Sequence, residues 1–373
     1  MSGKSPAIGH YEWLDLLRFL AALAVVACHA RYFLFASYSS LAPVNHGIVA
    51  ATFFSLTDLG HEAVIVFFVL SGYLVGGKAI DRMLRGTFSP QGYAIDRITR
   101  IWVPLVPALA LSVLIEYFAL GRRYSLQIWI GNLLGLQNVA VPPLANNVHL
   151  WSLAYEIWFY TLTYAVGRLA SRKSSDLIGL LLCALSGLVF SRLAVYYLVC
   201  WIFGALFYLR PLRARPALGF TFSIALSFLA IAGKKLTEHG PMALAQESTD
   251  VMAGCDLLLA VGTGVLCVYL ASLAPTKLSA FGPRLASFSY TLYLVHYPIL
   301  RIFDLRKWQR ITCVNTMSFV WFGSAVAMCA FLAWIMYLMF ERNTKFVRTL
   351  AKWSLASTVP VPMQPAKLPL NTL

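Results

Sequence analysis

Apolar runs of about 20 residues, broken by short charged or Pro/Gly-containing stretches, recur from one end of the chain to the other. They fall near residues 13–35, 61–79, 100–120, 149–170, 177–191, 194–209, 217–234, 251–274, 285–303 and 317–340. A span of roughly 20 residues crosses a hydrocarbon core of about 30 Å as a helix, so the pattern predicts an all-α polytopic membrane protein with about ten transmembrane helices. The short alternating segments of a membrane β-barrel are not seen. Segment 125–138 is apolar enough to dip into the membrane without crossing. The first run carries Asp15 and Arg18, is too long for a cleaved signal peptide and is followed by further spans, which predicts a retained helix.

Composition narrows this further. Of 373 residues, 59% are hydrophobic and 12% charged, with a mean hydropathy of +0.71, values that exclude an ordinary soluble domain. The formal charge is +15 and the pI about 9.6. Placing both termini in the cytoplasm puts about twice as many Lys and Arg inside as outside, in the sense of the positive-inside rule. The basic residues are split among loops instead of gathered on one face, which argues against a nucleic-acid partner. Six of the seven cysteines lie in apolar runs, so no disulfide framework is expected. Phosphate-cradling glycine loops, zinc-type Cys/His spacings and nucleophile elbows are absent, and no metal site is expected. Residues 1–345 read as one transmembrane domain, and residues 346–373, rich in proline toward the end, as a disordered cytoplasmic tail.

Ionisable groups inside apolar spans are costly and point to function. Arg18 and His29 are eleven residues apart, which places them within about 20° of one another on a helix and about 16 Å apart along it. The fourth run begins HLWSLAYEIWFY, with His149, Ser152 and Glu156 on one face and Trp151 beside them. Arg97 and Arg100 are three residues apart at the start of the third run; a pair of guanidinium groups on one face suits a phosphate-bearing ligand as well as a positive-inside signal. His296 lies in SYTLYLVHYPI, and FFVLSGY places Ser71, Gly72 and Tyr73 where a helix or ligand can approach closely. Glu116 and Asp256 are further intramembrane acids with no evident role.

The sequence resembles the acyltransferase-3 family of integral membrane O-acyltransferases. The matching segments are LDLLRFLAALAVVACHA with Arg18 and His29, FFVLSGYL, DRITRIWVP, HLWSLAYEIWFY, SFSYTLYLVHYPI and FER, in the family's order over residues 13 to 342. Two departures are present: Tyr155-Glu156 stands where the family has a carboxylate pair, and FERN replaces Glu-Arg-Pro. The resemblance implies a cytoplasmic acyl-CoA donor, expected to be acetyl-CoA, and a glycan or lipid-linked saccharide acceptor such as an exopolysaccharide, on the far side of a bacterial inner membrane. Since no added hydrolase-like domain is present, the chain is expected to complete the transfer itself, within membrane lipid and as monomer or oligomer. Arg18, Arg97, Arg100, Ser71 and Tyr73 are then expected at the donor, and His149, Trp151, Ser152 and His296 at the acceptor. His29 is the expected general base, with Glu156 orienting its imidazole. A proton-coupled transporter of a small solute or glycan is the alternative, because intramembrane Arg, His and Glu also build transport pathways.

Overall fold

The computed structural model describes residues 11–171, 176–210, 216–239 and 247–356, and these are helical with no strand among them. In chain order the helices are α1 (Glu12–Leu34), α2 (Ile48–Leu56), α3 (Gly60–Ser71), α4 (Lys78–Leu84), α5 (Pro90–Leu120), α6 (Leu126–Leu133) and α7 (Trp151–Ser171). They continue with α8 (Leu177–Phe190), α9 (Tyr196–Leu209), α10 (Pro216–His239), α11 (Glu247–Ser272), α12 (Gly282–Ala286), α13 (Ser289–Leu305), α14 (Thr316–Met339) and α15 (Thr344–Ala356). Six helical stretches are long and apolar enough to cross a membrane: α1, the run Ile48–Leu84, α5, Leu218–Thr237, Asp250–Ser272 and Thr316–Trp353. Each expected apolar run is helical, but α8 and α9 are shorter, and α7 and α13 carry the polar groups described below. Among the basic residues behind the charge bias, Lys4, Arg172, Lys173, Arg213, Arg215 and Lys367 lie outside the described residues, as do residues 357–373 of the expected tail.

One sequence expectation changes. Residues 346–356 belong to α15 and not to a disordered tail, because Phe346, Val347 and Leu350 recur at helical spacing before the prolines begin. Segment 125–138 contains only the eight-residue α6 and then turns, so it is about 12 Å of helix and cannot cross. Its Asn132 is buried, donates to the Ile128 and Pro142 carbonyls and accepts from the Leu144 amide, which fastens the loop leading to α7.

The α1 helix lies at the centre, packed against α3, α13 and α12. Beside it, α3 runs into a π-helical turn at Gly72–Gly77 before α4, and this turn packs on α9 with almost no side chain between the backbones. A Cβ on Gly72 would stand 1.9 Å from the Trp201 carbonyl oxygen, and one on Gly204 would stand 2.1 Å from that of Val69. Small residues are what allow membrane helices to come this close. Here Gly72 therefore acts in packing, and the adjacent Ser71 is the residue left facing inward.

Replacing Gly72 or Gly204 by Ala is expected to cost about 1–3 kcal/mol through overpacking. Gly187→Ala, at a helical site with nothing within 4 Å, should be neutral or stabilising. Melting of the purified proteins in detergent would check this contrast.

Candidate active site

A cavity of about 680 Å³ runs through the bundle, lined by residues of α1, α3, α5, α7 and α13 and by the start of α15. Seven Arg or Lys side chains line it (Arg18, Arg97, Arg100, Arg284, Arg342, Lys345 and Arg348) against three carboxylates (Asp15, Glu156 and Glu341). The surplus of positive charge favours an anionic ligand, and the volume is that of a small-molecule site.

Several of the charges inside the cavity are held by specific neighbours. Arg18 donates to Asp15 at 2.9 Å, one turn earlier on α1. Arg100 pairs with Glu341, which is 1% exposed and also accepts from the Thr291 hydroxyl at 2.5 Å and the Thr291 amide at 3.3 Å. Arg97 lies over the Tyr160 ring, 5.4 Å from its centre, and its buried Nε has no hydrogen-bond partner. Tyr160 donates to Glu156 at 2.6 Å, so the Ser71 hydroxyl, 3.0 Å away, donates to Tyr160. The cavity thus gathers Arg18, Ser71, Arg97, Arg100, Ser152 and Glu156 from the sequence expectations. Tyr73 is not among its lining. A step of about 200° from Ser71 turns Tyr73 away, and it packs edge-on against Tyr208 at 5.3 Å.

Three imidazoles meet beyond the far end of this cavity. His29 Nδ1 is 2.9 Å from His296 Nε2, and the His29 and His149 ring centres are 3.6 Å apart. His296 is fully buried, while His29 and His149 are half-buried. Nδ1 of His296 faces the Tyr293 carbonyl at 2.8 Å and that of Leu292 at 3.2 Å, so Nδ1 carries the proton and Nε2 accepts. It follows that His29 donates from Nδ1 and presents an unprotonated Nε2. The expected pairing of His29 with Glu156 is therefore corrected: Glu156 lies two turns along α7 from His149 and is held by Tyr160, and the ring behind His29 is His296. His296 is fully buried behind His29 and supports that ring. Trp151 packs with Tyr155, Tyr197 and Phe68 and faces His61.

Tyr293 stands between the cavity and the histidines. Its hydroxyl is 2.5 Å from the Ser152 hydroxyl, which lines the cavity, and donates to the His149 carbonyl at 2.9 Å. The loop that carries His149 is fixed on its other side by the buried Gln137, which donates to the Leu150 carbonyl at 2.6 Å, and by Asn147, which donates to that of Leu294. Glu116, left without a role by the sequence, pairs with Arg301 at 2.8 Å and accepts from Tyr124. With its side-chain amide turned to accept, Asn146 bonds both Arg301 and Arg122 at 3.0 Å. Asp256 bonds His61 at 2.8 Å and lies 3.7 Å from Lys234, which is 3.2 Å from Glu62. Among the described residues, no group of His, Cys, Asp or Glu is placed to hold a metal ion. Tyr160, Tyr293 and Glu341 are not among the residues expected from the sequence, although Tyr160 lies one turn from Glu156 on the same face and Tyr293 and Glu341 fall within the matching segments SFSYTLYLVHYPI and FER.

A helical bundle with six stretches long and apolar enough to cross a membrane, and with charged groups gathered around an internal cavity, fits an integral membrane protein. A family model described as an acyltransferase domain matches residues 11–338, and the protein belongs to that acyltransferase-3 family. The chain is 32% identical over 176 residues to the acyltransferase MdmB of Streptomyces mycarofaciens, a match covering 45% of this chain and 42% of that protein. The chain thus spans less than half the length of that relative in the match. No solved structure matches.

Truncating Glu341 should strand Arg100 and free Thr291. Glu341→Ala is expected to cost about 3 kcal/mol, the low end for breaking a buried pair, since Arg100 is one-third exposed. Glu341→Gln, which keeps an acceptor for Thr291, should cost less. Equal melting temperatures for Glu341→Ala and wild type would remove this pair from the stability of the site.

Proposed function

We propose that the protein moves an acyl group, acetyl in the first instance, from acyl-CoA to a hydroxyl of a glycan or lipid-linked saccharide on the opposite face of a bacterial inner membrane. The observation that supports this reading is an arginine-lined cavity linked to the His29 cluster through the hydrogen-bonded Ser152 and Tyr293. Arg97 and Arg100 suit the polyanionic nucleotide end of coenzyme A, and the buried Arg97 Nε is a donor still in need of an acceptor. The cavity mouth lies toward the Glu12 end of α1, which the charge bias assigns to the cytoplasm. His29 lies toward the other end, which suits an acceptor on the far side.

The donor supplies an activated thioester; the chain must position it and handle one proton. Nε2 of His29 takes the proton of the acceptor hydroxyl as the new C–O bond forms and the C–S bond breaks. The same proton then satisfies the departing sulfur, so the step balances without any further reactant. His296 keeps His29 in the tautomer that leaves Nε2 free. Ser71 and Arg18 belong to the donor side by their place on the cavity wall, and Glu156, bonded to Tyr160, positions that wall instead of the base.

Labelled acetyl-CoA with the protein in vesicles tests the reading. His29→Ala should lower transfer by about 10²–10⁴-fold while leaving coenzyme A affinity unchanged. Arg97→Ala with Arg100→Ala should weaken donor binding, with a smaller loss at high salt, where screening has already reduced the arginines' contribution. Transfer at the wild-type rate by His29→Ala would falsify the assignment of the base.

A further inference from the structure

The α15 helix has its two faces the reverse of what a water-exposed helix requires. Phe346 is 65%, Val347 36% and Leu350 50% exposed, and these residues form one outward stripe. The opposite face carries Arg348 and Lys352, which point inward to Asp96 on α5 at 3.1 Å and 3.7 Å. Thr344, Lys345 and Arg348 line the cavity. A short turn around Glu341–Asn343 separates α15 from α14, whose 24 residues, about 36 Å of helix, suffice to cross a hydrocarbon core of about 30 Å, so α15 begins where that span ends. Its neighbour α5 has 31 residues, about 46 Å of helix against a core of about 30 Å, so part of α5 projects beyond the hydrocarbon.

We propose that α15 lies in the lipid headgroup layer at the face where the cavity opens, with anionic lipid as its partner, and forms a lipid-seated wall of the cavity mouth. An apolar stripe of this kind is stable when sunk to the boundary of headgroups and acyl chains. Exposed Arg342 and Lys345, at the start of α15, match a negatively charged lipid surface. Sinking the stripe holds Arg348 against Asp96 at the mouth. The consequence for donor access rests on the function proposed above; the seating in lipid does not.

The test uses the full-length protein with exposed Cys313 replaced by Ser and a spin label at Leu350→Cys or, as control, at Thr349→Cys, in phosphatidylcholine vesicles with and without phosphatidylglycerol. The label at 350 should collide with oxygen more than with a water-soluble nickel chelate, and sit deeper when phosphatidylglycerol is present. A label at 350 as open to the chelate as the one at 349 overturns the proposal. So does spin–spin broadening between copies, which would place a second chain on the stripe. For the mouth, Leu350→Asp should raise KM for acetyl-CoA about fivefold with kcat kept, the scale of one added negative charge repelled by an anionic membrane surface. An unchanged KM overturns the wall role. Since the label experiment uses no acyl donor, immersion without any coenzyme A binding would refute the function proposed above and leave the lipid seat standing.

Discussion

An ionised side chain inside an apolar bundle must find a partner, because the alternative costs several kcal/mol of lost hydration. In this protein each buried acid meets that demand by reaching across helices. Glu341 joins the end of α14 to α5 and α13, Glu116 joins α5 to α13, and Asp256 joins α11 to α3 and α10. The same bonds that satisfy the acids therefore set where the helices stand relative to one another. Arg97 is different, since its Nε is buried with no bond of its own and it faces the cavity. Most of the charge serves to hold the cavity in shape, and a smaller part is left for a ligand.

Tyr293 joins the two halves of the site. Its hydroxyl bonds Ser152 at the cavity wall and the carbonyl before α7, and its own carbonyl holds His296. A shift of α13 would therefore move the end of the cavity and the histidine tautomer together. The backbone does much of this work: the orientation of His296 depends on the carbonyls of its own helix, one turn back, which any residue type would supply.

The helices were legible because about 20 consecutive apolar residues have few alternatives in a membrane, and the shared face of Arg18 and His29 follows from helical geometry alone. What lay beyond the sequence was the partner of each polar group. His29 and His296 are 267 residues apart in the chain, and Arg100 and Glu341 are 241 apart, so no local pattern could join them. Glu156 was matched to the base because both were intramembrane and opposite in character, but its nearest donor was Tyr160, one turn away. Tyr73 was misplaced because a short motif was read as one unit, whereas a helix turns adjacent residues to different neighbours. With α15 the signal was present, but the prolines that follow drew its residues into the tail.

The ring behind His29 is another imidazole, and this has a kinetic consequence. In a serine-hydrolase triad a fixed negative charge compensates the proton that the base acquires. Under the function proposed above, the compensating group is a neutral dipole backed by peptide carbonyls, so a protonated His29 would be a poorly sheltered cation that gains by giving up its proton quickly. Such an arrangement favours an almost simultaneous exchange, with the proton's source and destination present together.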